Sequence, residues 1–336
     1  MRTNAFVRMS VVWVAVSLAP IAWAEQLTYD TMYVFGDSLS DTGNDLIATK
    51  AQGFVPAIPP SETPYATYYQ GRFSNGPVAV EYLWVKLIGS AQKPVSPFLG
   101  AKRNVTKKGA VSLAFGGSAS GMSNLTPGGF SVPGLLGQVD MFLAGRGAGR
   151  AVTDALYVVW SGANDYIAGL TSSPETVVGN IVSAIQLLHA DGARDFLVPN
   201  LPDIGSSPLI QARGPATASY FTEVTQAHNV ALAHALVGLA ASLPNTRIVQ
   251  LDVYGVVRSL ALSGTIVASP PQLAVVAQMV AVDCLFLNPA TCIDVDLHAP
   301  VPRPFLFWDV LHPTTHVHHA IGAAMFSALL TASNGP

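Results

Sequence analysis

Charge is scarce in this chain: only 11% of its 336 residues are Asp, Glu, Lys or Arg, and the formal net charge is -3. That leaves no electrostatic footprint for a nucleic acid or for an acidic membrane surface, and no nucleic acid is expected as a partner. Cysteine is almost absent, with only Cys284 and Cys292 present. They are too few for a zinc site without further ligands at suitable spacing, and in an exported protein two close cysteines read as a disulfide. Closing that short loop would contribute about 2.5 kcal/mol on the chain-entropy argument. No Gly/Ser linker, charge block or internal repeat divides the chain.

Long apolar runs are missing as well. The apolar stretch from Met9 to Ile21 spans about 13 residues, short of the roughly 20 needed to cross a bilayer. With Arg2 and Arg8 before it and Ala22-Trp23-Ala24 after it, residues 1–24 read as a signal peptide. The expectation is therefore a secreted or periplasmic protein, with residues 25–336 forming a single domain. Half of all residues are hydrophobic, which supports a large core.

Short apolar runs rich in branched and aromatic residues alternate with longer amphipathic or Ala-rich stretches. This is the pattern of parallel strands joined by crossover helices, and it predicts an α/β fold. Strands are expected at Met32 to Phe35, Ala110 to Ala114, Ala155 to Trp160, Asp195 to Pro199 and Arg247 to Leu251. Helices are expected at Val78 to Ile88, Thr176 to Ala190, Ala216 to Leu243 and Pro313 to Thr331. Gly43 to Gly76 reads as a loop, because Pro56, Pro59, Pro60 and Pro64 block regular helix, and its length suggests a wall of a binding site.

The residues just after the predicted strands are informative, since ligands in such sheets sit beyond the carboxyl ends of the strands. Ser38 comes after the first, Gly116-Gly117 after the second and Ser161-Gly162-Ala163-Asn164-Asp165 after the third, while Asp309 and His312 precede the last helix. A serine hydroxyl attacks only when a base takes its proton and a carboxylate orients that base. His312 and Asp309, three residues apart on a turn, suit those roles, and Pro313 favours a loop position for His312. The N–H groups of Ser38 and Gly117 and the side-chain amide of Asn164 are candidate donors to an oxyanion.

In these blocks the chain resembles the SGNH hydrolases, also called GDSL esterases and lipases. FGDSLSDTGN at 35–44 looks like their first block, LAFGGSAS at 113–120 the second, SGANDY at 161–166 the third and WDVLHPT at 308–314 the last. GRFSNG at 71–76 and LPDIGSSP at 201–208 are supporting matches. The resemblance implies a flavodoxin-like three-layer α/β/α sandwich around a parallel sheet of about five strands. It also implies Ser38 as nucleophile and oxyanion donor, Gly117 and Asn164 as the other donors, His312 as general acid/base, Asp309 as its partner, and no cofactor. Serine stands at 112 where an Asn is common in the second block, which leaves Gly116 as the alternative to Gly117.

The substrate expected from that resemblance is a lipid ester, as for a lipase, phospholipase A or lysophospholipase, with transient contact to membranes or lipid aggregates. Acyl transfer to an alcohol, deacetylation of short or carbohydrate esters, and a catalytically silent binding protein are the other readings. His312, His316, His318 and His319 crowd the end of the chain, but Pro313 and the lack of an intervening glutamate argue against a metal site. His189, His228 and His234 are expected at surface or packing positions, and Asp37, Asp41, Asp165 and Arg72 to hold turns together, the alternative being that they shape the pocket by hydrogen bonding. Asn104-Val105-Thr106 and Asn124-Leu125-Thr126 match glycosylation triplets. The cysteine loop, containing Leu285, Phe286 and Leu287, is a candidate wall or lid of an acyl groove.

Overall fold

The computed structural model describes residues 27, 29–64, 68–101, 105, 108–126, 129–146, 153–263 and 306–333. The leader, Asn104, Cys284 and Cys292 therefore lie outside the described residues, and with them the expected disulfide and its lid.

The strands are β1 (Thr31–Gly36), β2 (Val95–Pro97), β3 (Gly109–Ser112), β4 (Ser123–Leu125), β5 (Ser131–Pro133), β6 (Leu156–Trp160), β7 (Asp195–Pro199) and β8 (Arg247–Leu251). Six of them form one sheet in the order β2-β3-β1-β6-β7-β8, and every pairing in it is parallel. Without β2, the order is that of the flavodoxin-like doubly wound sheet. The chain runs outward from β1 in both directions, so the order reverses at β1. Its carboxyl end is the topological switch point, where such folds keep their ligand sites. The pair β4 and β5 forms a separate antiparallel hairpin.

The helices are α1 (Asn44–Ala51), α2 (Ala79–Ile88), α3 (Leu135–Gly145), α4 (Ala163–Ile167), α5 (Pro174–Asp191), α6 (Pro208–Gln211), α7 (Pro215–Ser242), α8 (Val253–Leu262) and α9 (Thr315–Ser333). Strand alternation divides the core between the two faces of the sheet. Tyr33, Phe35, Tyr157 and Val159 point to the face covered by α3, α5 and α7. Met32, Val34, Leu156, Val158 and Trp160 point to the face covered by α2, α8 and α9. Both faces being buried explains why these strands read as unbroken apolar runs. Each fully buried large side chain contributes about 1.5–3 kcal/mol relative to exposure.

Helices α3, α4, α6 and α8 and the β4–β5 hairpin were not expected from the sequence, and the structure departs from the sequence reading in three further places. The sheet has a sixth strand, the edge strand β2, whose three residues include Pro97 and so carry no strand periodicity. The stretch from Gly43 to Gly76 is not all loop: it opens with α1, whose first N–H groups are capped by Asp41. Pro313 does not begin α9; it pairs with Phe307 in an isolated bridge, and the helix starts at Thr315.

Candidate active site

The turn after β1 is shaped by Asp37. Its carbonyl accepts the N–H groups of Ser40 and Asp41 at 3.0 Å, and its carboxylate accepts that of Leu39 at 3.0 Å. None of these bonds uses the N–H of Ser38, and the Ser38 hydroxyl points away from the turn to His312. β1 lies so close to β6 that a Cβ on Gly36 would sit 2.2 Å from the Trp160 carbonyl oxygen, so only glycine fits there. Gln138 of α3 spans that glycine, accepting its N–H and donating to its carbonyl, each at 2.8 Å.

Ser38 Oγ lies 2.9 Å from His312 Nε2, and His312 Nδ1 lies 2.6 Å from Asp309 Oδ2. The Asp309 carboxylate also accepts the N–H groups of Leu311 at 2.7 Å and His312 at 2.6 Å, and the hydroxyl of Tyr68 at 2.8 Å. All three residues of the relay are buried. Burial alone would push the Asp309 carboxyl up, but the His312 ring and the donated hydrogen bonds outweigh it and hold this group below the usual carboxylate range. An ionised acid at Nδ1 leaves Nε2 as the acceptor of the serine proton, which is the tautomer a general base needs.

The turn that carries His312 is gripped by the GRFSNG segment. Phe73 packs on the His312 ring with centroids 5.1 Å apart. Ser74 donates to the Pro313 carbonyl at 3.0 Å, and Asn75 accepts the Thr315 N–H at 2.8 Å, which caps α9. Arg72 pairs with Glu81, whose carboxylate accepts the Val78 N–H at the start of α2. Tyr68, Phe73 and Phe115 belong to a third apolar cluster beside the sheet. The long segment before α2 thus backs the relay, but none of its residues lines the adjoining cavity. Sequence reasoning did not single out Tyr68 or Gln138, whose partners are 241 and 102 residues away.

The second block lies across from this segment. Asp41 takes the Gly116 N–H at 3.3 Å, whereas the N–H of Gly117 has no partner among the described residues. Gly117 has φ +75°, and its carbonyl is held by the side chain of Asn124 at 2.8 Å. The Asn124 amide also accepts the Ala119 N–H at 2.9 Å, so this side chain of the glycosylation triplet is engaged in the loop. Asn164 donates to the Ser118 carbonyl at 3.0 Å, and Asp165 accepts both the N–H and the hydroxyl of Ser120. Asn164 thereby joins the third block to the second.

A cavity open to solvent reaches the relay. Ser38, His312 and Asn164 line it, while Gly117 is not among its lining residues. Its walls are mainly apolar, from Trp160, Ile167, Val257, Leu306, Val317 and Ile321, with Asp203, Ser206 and Ser207 as polar members. Asp37 also lines the cavity, and burial pushes its carboxyl up to about 6 against the opposing Leu39 hydrogen bond and the nearby His312.

The other histidines are dispersed. His318 is buried and accepts the Ala79 N–H at 3.2 Å, whereas His316 and His319 are exposed on other sides of α9. His228 is buried beneath Gly162, where its Nδ1 meets the Tyr166 hydroxyl at 3.0 Å, and burial pushes it down to about 4. No group of three or more His, Cys, Asp or Glu side chains among the described residues is arranged to hold a metal ion.

A phosphatidylcholine-sterol acyltransferase from Aeromonas hydrophila is 30% identical over 226 residues, which cover 66% of this chain and 58% of that relative. The chain thus spans little more than half of the acyltransferase. A GDSL esterase/lipase from Arabidopsis thaliana is 24% identical over 331 residues, covering 88% of both chains. Among solved structures, a carbohydrate acetylesterase from Sinorhizobium meliloti covers 90% of this chain and 98% of its own at 11% identity, with a TM-score of 0.46, too distant to bear on the reaction. The GDSL-like lipase/acylhydrolase family matches residues 32–325, from the first residues of β1 into α9, and the chain belongs to this family of ester hydrolases.

Proposed function

We propose that this enzyme cleaves carboxylic esters of lipids through an acyl-enzyme on Ser38. The observation that carries the reading is the continuous relay from Ser38 through His312 to Asp309, opening into a cavity with apolar walls. His312 takes the Ser38 proton as the oxygen attacks the ester carbonyl, then gives it to the leaving alcohol; water repeats the sequence to free the acid. The Ser38 N–H, the Gly117 N–H and the Asn164 amide receive the oxyanion, each donor being worth about 3–4 kcal/mol in such sites. Aliphatic and aromatic walls favour an acyl chain over a sugar, whose hydroxyls would need polar partners.

The likeness to a phosphatidylcholine-sterol acyltransferase supports a second reading, in which an alcohol replaces water in the deacylation step. The leader read at residues 1–24 would deliver the enzyme to the periplasm or the medium, where it would meet lipid aggregates.

The test is acyl release from lysophosphatidylcholine beside p-nitrophenyl acetate and p-nitrophenyl butyrate, with Ser38→Ala as control. Release of long-chain fatty acid that vanishes in the variant is the expected result. Activity confined to short esters would overturn the lipid assignment. A folded wild-type protein that neither turns over an ester nor takes a fluorophosphonate label would overturn the enzyme mechanism.

A further inference from the structure

We propose that Tyr68 is a positioning residue for the relay, setting the orientation and basicity of Asp309; the inference rests on the acyl-enzyme reading above. Asp309 Oδ2 carries two donors at once, the His312 ring at 2.6 Å and the Tyr68 hydroxyl at 2.8 Å. Asp309 Oδ1 is taken by the two backbone N–H groups of its own turn. The four donors leave the carboxylate no freedom to rotate, and Tyr68 is the only one of them that comes from outside residues 309–312. It is therefore the contact that registers the acid against the rest of the molecule.

Tyr68 is well built for that task. Its side chain is buried, its own N–H is fixed to the Pro60 carbonyl at 2.8 Å, and its ring meets Phe73 and Trp308 edge-on. Phe73 in turn stacks on His312, so one aromatic group holds both members of the acid–base pair. Burial and the adjacent Asp309 push the Tyr68 phenol well above its ordinary value, so it remains a donor throughout the working pH range. By sharing the negative charge on Oδ2, the phenol weakens the carboxylate's pull on the His312 Nδ1 proton. Its removal leaves a more basic carboxylate that holds the imidazolium more firmly.

The test is Tyr68→Phe, which keeps the ring and deletes only the hydroxyl, assayed over pH 5–9 on whichever ester the wild type turns over. The expected result is a fall in kcat of about tenfold with KM little changed, matching the loss of one hydrogen bond to a charged group. The acid limb of kcat/KM moves to higher pH, a shift that a merely structural tyrosine would not produce. Retained kcat with an unmoved limb overturns the proposal. If Tyr68→Phe does not fold, 3-fluorotyrosine placed at position 68 supplies a stronger donor, and the limb must then move to lower pH; an unmoved limb overturns the proposal. Absence of turnover in the wild type would instead strike the acyl-enzyme reading, so the two failures are distinguishable.

Discussion

Asp41 accepts the backbone N–H of Gly116 at 3.3 Å, and this contact helps to join the turn after β1 to the loop after β3. The same carboxylate accepts the N–H groups of Gly43, Asn44 and Asp45 at the start of α1. Asp41→Ala leaves four N–H groups without that acceptor, each costing about 1–3 kcal/mol where water cannot replace it. We expect a loss of several kcal/mol in urea unfolding, together with a fall in kcat as the Gly116-Gly117 loop loses one of its anchors. Wild-type stability in Asp41→Ala would refute the role given to this contact.

Gly117 stands at φ +75°, and a Cβ there would lie 2.9 Å from Thr126 Cγ2. Gly117→Ala is expected to cost about 1–2 kcal/mol of stability from the left-handed backbone and to lower kcat by displacing its N–H. Gly129, at φ +81° with open space around its Cβ position, is the control. Gly129→Ala, strained in backbone but free of the Thr126 contact, should show a smaller melting shift with kcat unchanged. Equal kcat in the two variants would remove Gly117 from the oxyanion site.

Asn75 caps α9 by accepting the Thr315 N–H, three residues beyond His312. Asn75→Ala should destabilise the protein by about 1 kcal/mol, the ordinary worth of a helix cap. It should also lower kcat, because the turn bearing His312 is held by the same segment. Thermal unfolding and steady-state kinetics on one preparation would check both effects. A stability loss with full activity would separate the cap from the catalytic turn.

His228 offers a test of the packing by pH. Burial pushes it down to about 4, so the folded protein holds it neutral, whereas in the unfolded chain it protonates near 6.5. Its contribution to stability is therefore complete above 6.5 and is lost as pH falls toward 4, by roughly 3 kcal/mol. Asp37 has the opposite sign. With its carboxyl pushed up to about 6, its contribution is complete below the ordinary aspartate value and is lost as pH rises through 6. His228→Phe isolates the histidine: between pH 7 and pH 4 the variant should lose roughly 3 kcal/mol less than the wild type in urea unfolding. Parallel losses would mean that His228 is not held neutral.

The five long strands of the sheet were legible because residues such as Met32 to Phe35 are buried on both faces and read as unbroken apolar runs. The short edge strand β2 was not, since Val95, Ser96 and Pro97 form a strand only because β3 lies beside them. Helix α1 was hidden for a similar reason. Its opening is made by the Asp41 side chain, and the prolines after it dominate the local pattern.

Local sequence is enough to establish the family, the α/β alternation and the candidate trio of Ser38, Asp309 and His312. Those features are carried by contiguous residues whose chemistry is set by short spacings: a serine just after a strand, an acid three positions before a histidine, and a proline that keeps that histidine off the helix. The groups that hold the trio in register emerge only in three dimensions. Tyr68 meets Asp309, Phe73 meets His312 and Gln138 brackets Gly36 across separations of 102 to 241 residues. No periodicity or local propensity encodes such pairs. They exist because the parallel sheet brings the loop after β1, the GRFSNG segment and the turn before α9 to one edge, where buried polar groups must find partners.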